Sequence, residues 1–303
     1  MGWRTVVVTQ HAKISLTLGN LLIQTDTGIN HVHVKDIQVL IVSSLQVVIT
    51  SAAICELSKN NAKIIFSDNS NQPISEVINY TRNISNVSLL KKQFDWTSNN
   101  LVSKKLWTKI VISKISNQIQ ALDFFGINSD SIISELDKIE LDDITNREAV
   151  AARKYFLLLF GNDFSRDEVS PINDALNYGY SIILSSVNLQ ITAYGQLTQL
   201  GIHHHSDENY FNLGSDLMEP FRPVVDQWVG NQKFKELTPD VKFSLIRLLD
   251  VEVTYNHQEI ILRNAIYEHV RNCLDYLNLK KDSIKIEVGI PSEVSNNAFN
   301  DNV

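Results

Sequence analysis

Cysteine is scarce in this chain of 303 residues, which contains only Cys55 and Cys273. The two lie far apart among apolar neighbours, so the sequence supports neither a disulfide framework nor a cysteine-based zinc site. Their scarcity favours a reducing, cytoplasmic compartment. The sequence also lacks a Gly-x-Ser-x-Gly elbow, a phosphate-binding glycine loop and a dinucleotide fingerprint, which argues against the enzymes built on those motifs.

Long apolar runs are missing as well. No stretch approaches the roughly 20 apolar residues that a membrane-spanning helix needs. The N-terminus, MGWRTVVV, has no signal-peptide pattern. We therefore expect no membrane association.

Positive charge is also in deficit, because 27 Lys and Arg residues face 34 Asp and Glu residues and leave a net charge of −7. This balance argues against a surface that binds nucleic acid all over, since phosphate contacts need Lys and Arg. The stretch 91–114 differs, because Asp95 is its one acid among six lysines: Lys91, Lys92, Lys104, Lys105, Lys109 and Lys114. Such a run is typical of a solvated helix face and equally of a DNA-contacting surface.

Two kinds of hydrophobic pattern divide the chain. Short apolar or alternating runs separated by turn residues predict a small N-terminal β domain over 1–80, with one helix at 51–59 that Ser51 caps. A polar connector over 81–88 follows. Beyond it, apolar residues recur three and four apart and predict a larger all-helical domain over 89–290. The asparagine-rich end, 291–303, is predicted to be disordered, and the fold class is α+β.

The helices expected in the second domain follow from their terminal residues. They span 146–160 after a Thr145 or Asn146 cap, 171–200 up to Gly201, a helix capped by Ser215, and stretches at 240–252 and 258–278. Pro223 implies a bend or break in the helix that Ser215 caps.

The span 201–226 concentrates groups that can carry out chemistry. It contains the consecutive histidines and the acids and arginine that follow them: His203, His204, His205, Asp216, Glu219, Arg222 and Asp226. Spacing by three places Asp216, Glu219 and Arg222 along one face of a helix. That face suits metal ligands with a supporting arginine, and it equally suits a surface ion pair. A mixed carboxylate and imidazole set is suited to manganese or magnesium in phosphate chemistry.

Another carboxylate is available from Glu148, near the start of the helix over 146–160. Its position three residues after Thr145 fits a capping box, in which the glutamate folds back onto the cap. The pattern therefore favours Glu148 as a cap residue, whereas a metal site would need it as a third ligand. Arg147 and Arg153 are ordinary helix cations or phosphate contacts, and the pattern leaves both readings open.

Five segments carry a family resemblance: GWRTVVV at the N-terminus, NREAVAARKYF at 146–156, LFGNDFSR at 159–166, INDALNYGYSIILS at 172–185 and SDLMEPFRPVVD at 215–226. They closely resemble the CRISPR-associated adaptation integrases, in particular the type II branch. The resemblance runs from residue 1 to 290. It implies a small β domain followed by a helical domain with a metal-dependent DNA endonuclease and integrase site. That site would insert spacer DNA into a CRISPR array by 3′-hydroxyl attack, in antiviral defence.

Carried over by position, the family's site implies three catalytic groups that are also ligands of Mn²⁺ or Mg²⁺: Glu148, His204 and Glu219. His205 is the alternative histidine, and Asp216 and Arg222 are implied as supporting residues. Two positions depart from the family's pattern. Ala149 stands where the family often has glycine, and Glu219 stands where many branches have aspartate.

The resemblance also implies partners. They are a spacer fragment, the CRISPR repeat and leader DNA, a second copy of the chain, and a small CRISPR-associated subunit that bridges two dimers. The candidate DNA contacts are Arg147, Arg153, Arg166, Lys91, Lys92, Lys104, Lys105 and Lys109. Two other functions stay open: a standalone metal-dependent DNA nuclease, and a catalytically silent DNA-binding scaffold in which Glu148 is only a cap.

Overall fold

The computed structural model of the chain describes residues 2–67, 73–77, 79, 87–98 and 100–293. It divides into two compact units, Met1–Ile84 and Ser85–Val303. Most of the expected connector over 81–88, and residues 294–303 of the expected disordered tail, lie outside the described residues. Of the helices that the structure describes, none is long and apolar enough to cross a membrane.

The first unit contains two four-stranded sheets and one helix. Its elements are β1 (Arg4–Val8), β2 (Ala12–Thr17), β3 (Asn20–Thr25), β4 (Gly28–His33), β5 (Ile37–Val42), β6 (Val48–Ile49), α1 (Ser51–Lys59), β7 (Lys63–Ser67) and β8 (Pro73–Glu76). One sheet has the order β1-β5-β7-β8 and the other β4-β3-β2-β6. The predicted β domain and its helix are both present. The cap of α1 is Thr50, whose side chain accepts the Ala53 N–H, and not Ser51 as predicted.

The hydrophobic pattern explains how this unit folds. The turn between β2 and β3 places Leu18 and Gly19 at φ values of 47° and 76°, which suits a tight hairpin turn. Alternating residues of the strands then point to one side, where Ile14, Leu21 and Leu40 are completely buried. This burial gives the first unit a hydrophobic core of its own.

The described residues of the second unit are mostly helical, and they include three short strands that the predicted all-helical domain lacks. Its elements are α2 (Val87–Thr97), α3 (Leu101–Phe124), α4 (Asp130–Leu136), α5 (Arg147–Phe160), α6 (Pro171–Tyr194), α7 (Asn212–Met218), α8 (Arg222–Asn231), α9 (Pro239–Arg247), β9 (Glu252–Tyr255), β10 (Gln258–Ile261), α10 (Leu262–Leu277) and β11 (Val288–Gly289). Helix α3 packs against α4, α5 and α8. Helix α6 packs against α7, α8, α9 and α10. The fold class α+β is therefore confirmed.

Two predicted helices are wrong in extent. Helix α6 ends at Tyr194 and not at residue 200, because Gly195 takes a left-handed conformation with φ 95° and closes the last turn. The stretch 258–278 is not one helix. Its first residues form β10, which pairs with β9, and β9 also pairs with β11, so the helical unit includes a three-stranded sheet.

The helix around Ser215 starts earlier and breaks earlier than predicted. Helix α7 begins at Asn212, so Ser215 lies inside it and is not its cap. The break falls at a 3-10 turn, Glu219–Phe221, before Pro223 is reached. This turn separates α7 from α8 and lies against α3.

Candidate active site

Asp216 organises the loop that carries the three histidines. Its carboxylate is fully buried on α7. It accepts the backbone N–H groups of Ile202, His203 and His204 at 2.7, 3.1 and 3.1 Å. The same carboxylate lies 2.6 Å from Nδ1 of His204. Asp216 therefore fixes both the backbone of the loop and the orientation of the His204 ring. The contact uses Nδ1 of that ring and does not involve Nε2.

The approach of this loop to α7 depends on Gly201. A β-carbon at position 201 would lie 2.6 Å from Oδ2 of Asp216, which is closer than real β-carbons approach other atoms. Any larger residue would push the loop away from the carboxylate that holds it. The glycine predicted to end α6 thus serves a close backbone approach and not a helix terminus.

The three histidines have different surroundings. The His203 ring stacks on Trp107, with centroids 4.1 Å apart. His205 is exposed and helps to line a pocket of about 330 Å³. His204 is edge-on to Trp107. Its pKa is raised, mainly by the hydrogen bond with Asp216, although partial burial works in the opposite direction, and the negative charges of Glu219 and Glu148 raise it further. His204 is thus under the electrostatic influence of both predicted acidic ligands.

Glu219 lies in the 3-10 turn between α7 and α8, with 3 % of its surface exposed. Asn117 of α3 donates a 2.7 Å hydrogen bond to the carbonyl of Pro220 and so ties the turn to α3. The Glu219 carboxylate is held from two sides, by Arg222 Nε at 2.9 Å and by Lys114 Nζ at 2.5 Å. Burial alone would raise the pKa of Glu219, but Arg222 and Lys114 outweigh burial and lower it. Glu219 is therefore a carboxylate kept ionised inside the protein.

Glu148 is the second residue of α5, and the predicted capping box is wrong. Asn146 is the cap, in a left-handed conformation with φ 53°. The carboxylate of Asp143 accepts the N–H groups of Arg147 and Glu148 at 2.8 and 2.9 Å. Since these groups already satisfy the helix start, the Glu148 side chain does not fold back. Its Oε1 lies 2.6 Å from Lys114 Nζ.

Lys114 contacts both acids, and it was predicted only as one of the six lysines over 91–114. It lies on the buried face of α3, and its ammonium contacts both Glu148 and Glu219. Burial would lower the pKa of Lys114, but the charges of Glu219 and Glu148 more than compensate and raise it. Residues from three separate helical segments thus converge on one point.

The donor groups are of the kinds that bind a divalent cation, but they do not surround a common point as the ligands of a bound metal do. Two ionised carboxylates already share a cation, and an imidazole lies within their electrostatic influence. Oxygen with imidazole is a donor set that Mn²⁺ accepts. In the part of the chain that the structure describes, no three His, Cys, Asp or Glu side chains are gathered in ligand geometry. The position between the two carboxylates is taken by the Lys114 ammonium.

Arg222 is held by a second buried group of side chains. Its guanidinium lies 4.7 Å from the ring centroid of Tyr180. The Tyr180 hydroxyl donates a short hydrogen bond to Asp226, and burial raises the pKa of Asp226 to about 7. Tyr180 and Asp226 thereby fix Arg222 in the place from which it contacts Glu219.

The sequence matches the profile of the family described as CRISPR associated protein Cas1 over residues 5–237. The chain belongs to the Cas1 family. It is 32 % identical over 274 residues to the CRISPR-associated endonuclease Cas1 of Neisseria meningitidis serogroup C (strain 8013), with 88 % of this chain and 89 % of that protein covered. A Cas1 endonuclease of Francisella tularensis subsp. novicida (strain U112) is 29 % identical over 194 residues, which cover 54 % of this chain and 61 % of that protein.

Solved structures share the same fold. A casposase bound to its integration product superposes with a TM-score of 0.81 at 21 % identity, covering 93 % of both chains. A Cas1 protein from Thermotoga maritima gives a TM-score of 0.78 at 16 % identity, covering 93 % of this chain and 99 % of the other. The resemblance recognised from sequence motifs is therefore confirmed at the level of the family and its fold.

The DNA contacts expected for a Cas1 protein fall into two groups. Arg147, Lys104 and Arg166 are engaged within the protein, by Glu135 at 3.0 Å, Asp142 at 3.7 Å and Asn177 at 2.6 Å respectively. The exposed candidates are Lys91, Lys92, Lys105, Lys109 and Arg153, of which Lys92 also reaches the carbonyl of Asn278 at 3.2 Å. Lys105 and Lys109 are one helical turn apart on α3 and so project together.

Proposed function

We propose that this Cas1-family chain is a metal-dependent DNA endonuclease and integrase that inserts spacer DNA into a CRISPR array. The observation that carries the proposal is the convergence of Glu148 and Glu219, from different helical segments, on one cation beside His204. A buried acid with a lowered pKa, such as Glu219, is typical of sites that bind metal or move phosphoryl groups. The names of two relatives, endonucleases of the Cas1 family, and of a neighbour bound to an integration product support the same activity.

Glu148, His204 and Glu219 are the groups that would hold Mn²⁺ or Mg²⁺. When bound there, such an ion supplies positive charge that polarises the scissile phosphate and offsets the charge that develops on it. Asp216 orients the imidazole through Nδ1, in the manner of carboxylates behind other histidine ligands. Arg222 keeps Glu219 in place from the opposite side of its carboxylate.

The reaction that fits this site is a transesterification. The 3′-hydroxyl oxygen of a spacer fragment forms a new bond to phosphorus, and the bond from phosphorus to the 3′-oxygen of the target strand breaks. The hydroxyl proton is lost from the attacker, and the leaving oxygen gains one. With water as the attacker, the same site would cleave DNA by hydrolysis.

The proposed partners follow from the family. They are the spacer fragment, the repeat and leader DNA, a second copy of the chain as a homodimer, and a small CRISPR-associated subunit that bridges two dimers. A neighbour of the same fold is part of a Cas6-RT-Cas1–Cas2 complex, with a TM-score of 0.72 at 17 % identity, which supports the last of these partners. The proposed setting is the cytoplasm, in antiviral defence.

A strand-transfer assay tests the proposal. The purified chain, with its adaptation partner, is given a repeat-bearing plasmid and a labelled DNA fragment ending in either a 3′-hydroxyl or a 3′-deoxy group, with Mn²⁺ or with a chelator. We expect joining only with the hydroxyl and the metal. Cleavage without joining would identify a standalone nuclease, and DNA binding without either reaction would identify a silent scaffold.

A further inference from the structure

Lys114 is the one cation that touches both predicted acidic ligands among the ion pairs of the described residues. Its Nζ lies 2.6 Å from Oε1 of Glu148 and 2.5 Å from Oε2 of Glu219. Arg222 reaches Glu219 alone, through the other oxygen, Oε1. The two oxygens that face each other across the site are therefore both engaged by a single ammonium group.

The protein needs a positive charge at this place when no metal is bound. Two ionised carboxylates that face each other inside a protein repel, and burial deprives them of the water that would screen the repulsion. Among the ion pairs of the described residues, Arg222 contacts Glu219 through Oε1 and makes no ion pair with Glu148, so it does not bridge the two acids. Lys114 supplies the charge that bridges the two acids, and it does so from a buried position on α3.

A divalent ion would use the same two oxygens. Mg²⁺ and Mn²⁺ bind carboxylate oxygen at distances of about 2.0–2.2 Å, so an ion ligated by both acids would lie close to the present position of the ammonium. Two positive groups cannot share that space without strong repulsion in a poorly screened interior.

We infer that Lys114 is a built-in competitor for the metal: its ammonium holds Glu148 and Glu219 together in the metal-free protein and must be displaced when a divalent ion binds. This inference rests on the proposed metal-dependent function. Lys114 is thus a positioning residue that stabilises the empty site and weakens metal affinity at the same time. A lysine with a purely structural role would stabilise the empty site and support metal binding.

Thermal unfolding and calorimetric Mn²⁺ titration of Lys114→Met separate these roles. Without metal, we expect the midpoint of unfolding to fall by roughly 10 °C, because the variant loses the ammonium that the buried Glu219 and the half-buried Glu148 share. Mn²⁺ should bind about tenfold more tightly than to the wild type, and the rise in midpoint on adding Mn²⁺ should be larger. Lys235→Met is the control, since it removes the same charge from an exposed position between α8 and α9 and should change neither quantity.

Lys114→Gln provides a second variant, because glutamine keeps a hydrogen-bond donor. If neither variant folds without metal, restoration of cooperative unfolding by Mn²⁺ supports the inference, and failure of Mn²⁺ to restore it overturns the inference. Mn²⁺ affinity equal to or weaker than that of the wild type would also overturn it. The proposed function fails separately, if neither the wild type nor the variants bind Mn²⁺.

Discussion

Two clusters of ion pairs in the helical unit differ in their ratio of acidic to basic side chains. In the Glu135 cluster, one carboxylate receives three cations, Lys138 at 3.0 Å, Arg147 at 3.0 Å and Lys154 at 2.9 Å. Hydrogen bonds from these three groups, led by Lys154, lower the pKa of Glu135 to about 2. In the Lys114 cluster, one ammonium is shared by two carboxylates.

The difference in proportion determines what each cluster can still bind. Glu135 already pairs with three cations, so its cluster has no excess negative charge to attract another. The cluster joins α4 to α5. The Lys114 cluster holds Glu148 and Glu219 against Lys114 and Arg222. Its two carboxylates share one ammonium, so displacing that ammonium would leave an oxygen of each acid for another positive ion. Under the proposed function, ion pairs of similar length are structural in one place and part of a metal site in the other.

The largest expected effect comes from removing a carboxylate of the Lys114 cluster. Glu148→Ala and Glu219→Ala should each lower the rate of strand transfer by about 10³-fold or more, because a metal contributes several kcal/mol of charge stabilisation in phosphoryl transfer. Glu135→Gln should leave the rate within a few-fold of the wild type and lower the midpoint of thermal unfolding. The difference in role between the two clusters would be wrong if Glu135→Gln abolished strand transfer as completely as Glu148→Ala does.

The second effect separates the histidines. His204→Ala should reduce strand transfer by about 10- to 100-fold, the usual loss when a metal site is disturbed, whereas His205→Ala should have little effect. The physical reason is that Asp216 orients the ring of His204, whose pKa is raised further by the charges of Glu219 and Glu148, while His205 helps to line the pocket of about 330 Å³. Rates are compared at saturating Mn²⁺. A large loss in His205→Ala with full activity in His204→Ala would show that the assignment is shifted by one residue.

The third effect concerns pH. Because the pKa of His204 is raised, chiefly by Asp216, the ring stays protonated to a higher pH than an ordinary histidine. Only the neutral ring can ligate a metal, so strand transfer should decline as pH falls through this raised pKa. Asp216→Asn should move the acidic limb of the pH–rate profile to lower pH, besides lowering the rate at every pH by loosening the loop. An unmoved acidic limb would mean that His204 does not control it.

The smallest expected effect concerns DNA binding by two exposed lysines. Lys105 and Lys109 lie exposed on α3, the same helix that carries Lys114. If both contact phosphates, Lys105→Gln with Lys109→Gln should reduce the slope of log affinity against log salt by about 2, and leave Mn²⁺ binding unchanged. Fluorescence anisotropy with a labelled duplex measures the slope. An unchanged slope would remove these lysines from the DNA-binding surface.

The two clusters also show how far sequence reasoning reaches. The family resemblance implied Glu148, Glu219 and His204 as ligands of one site, whereas the local pattern by itself favoured Glu148 as a cap and left the choice among the histidines open. Lys114 was not singled out, since its run was typical of a solvated helix face and equally of a DNA-contacting surface. The available signal was its register: Trp107 and Ile110, seven and four residues earlier, are completely buried, so a lysine in phase with them must be buried too.

Other misses have the same origin in tertiary structure. The local sequence around Glu148 fits a capping box, but the carboxylate of Asp143 accepts the N–H groups at the start of the helix instead. Strand β10 fell inside the helix predicted over 258–278, and the sheet that it joins is completed by β11, which comes after α10 in the chain. Elements stabilised by distant partners leave weak traces in a local pattern.

Mn²⁺ titration of three proteins tests the account most directly: the wild type, Glu148→Gln and Glu135→Gln, each followed by calorimetry under identical conditions. The account predicts one ion bound per chain in the wild type and in Glu135→Gln, and affinity weakened by about 100-fold or more in Glu148→Gln. Equal affinity in all three proteins, or loss of binding in Glu135→Gln alone, would contradict the assignment of the Lys114 cluster as the metal site.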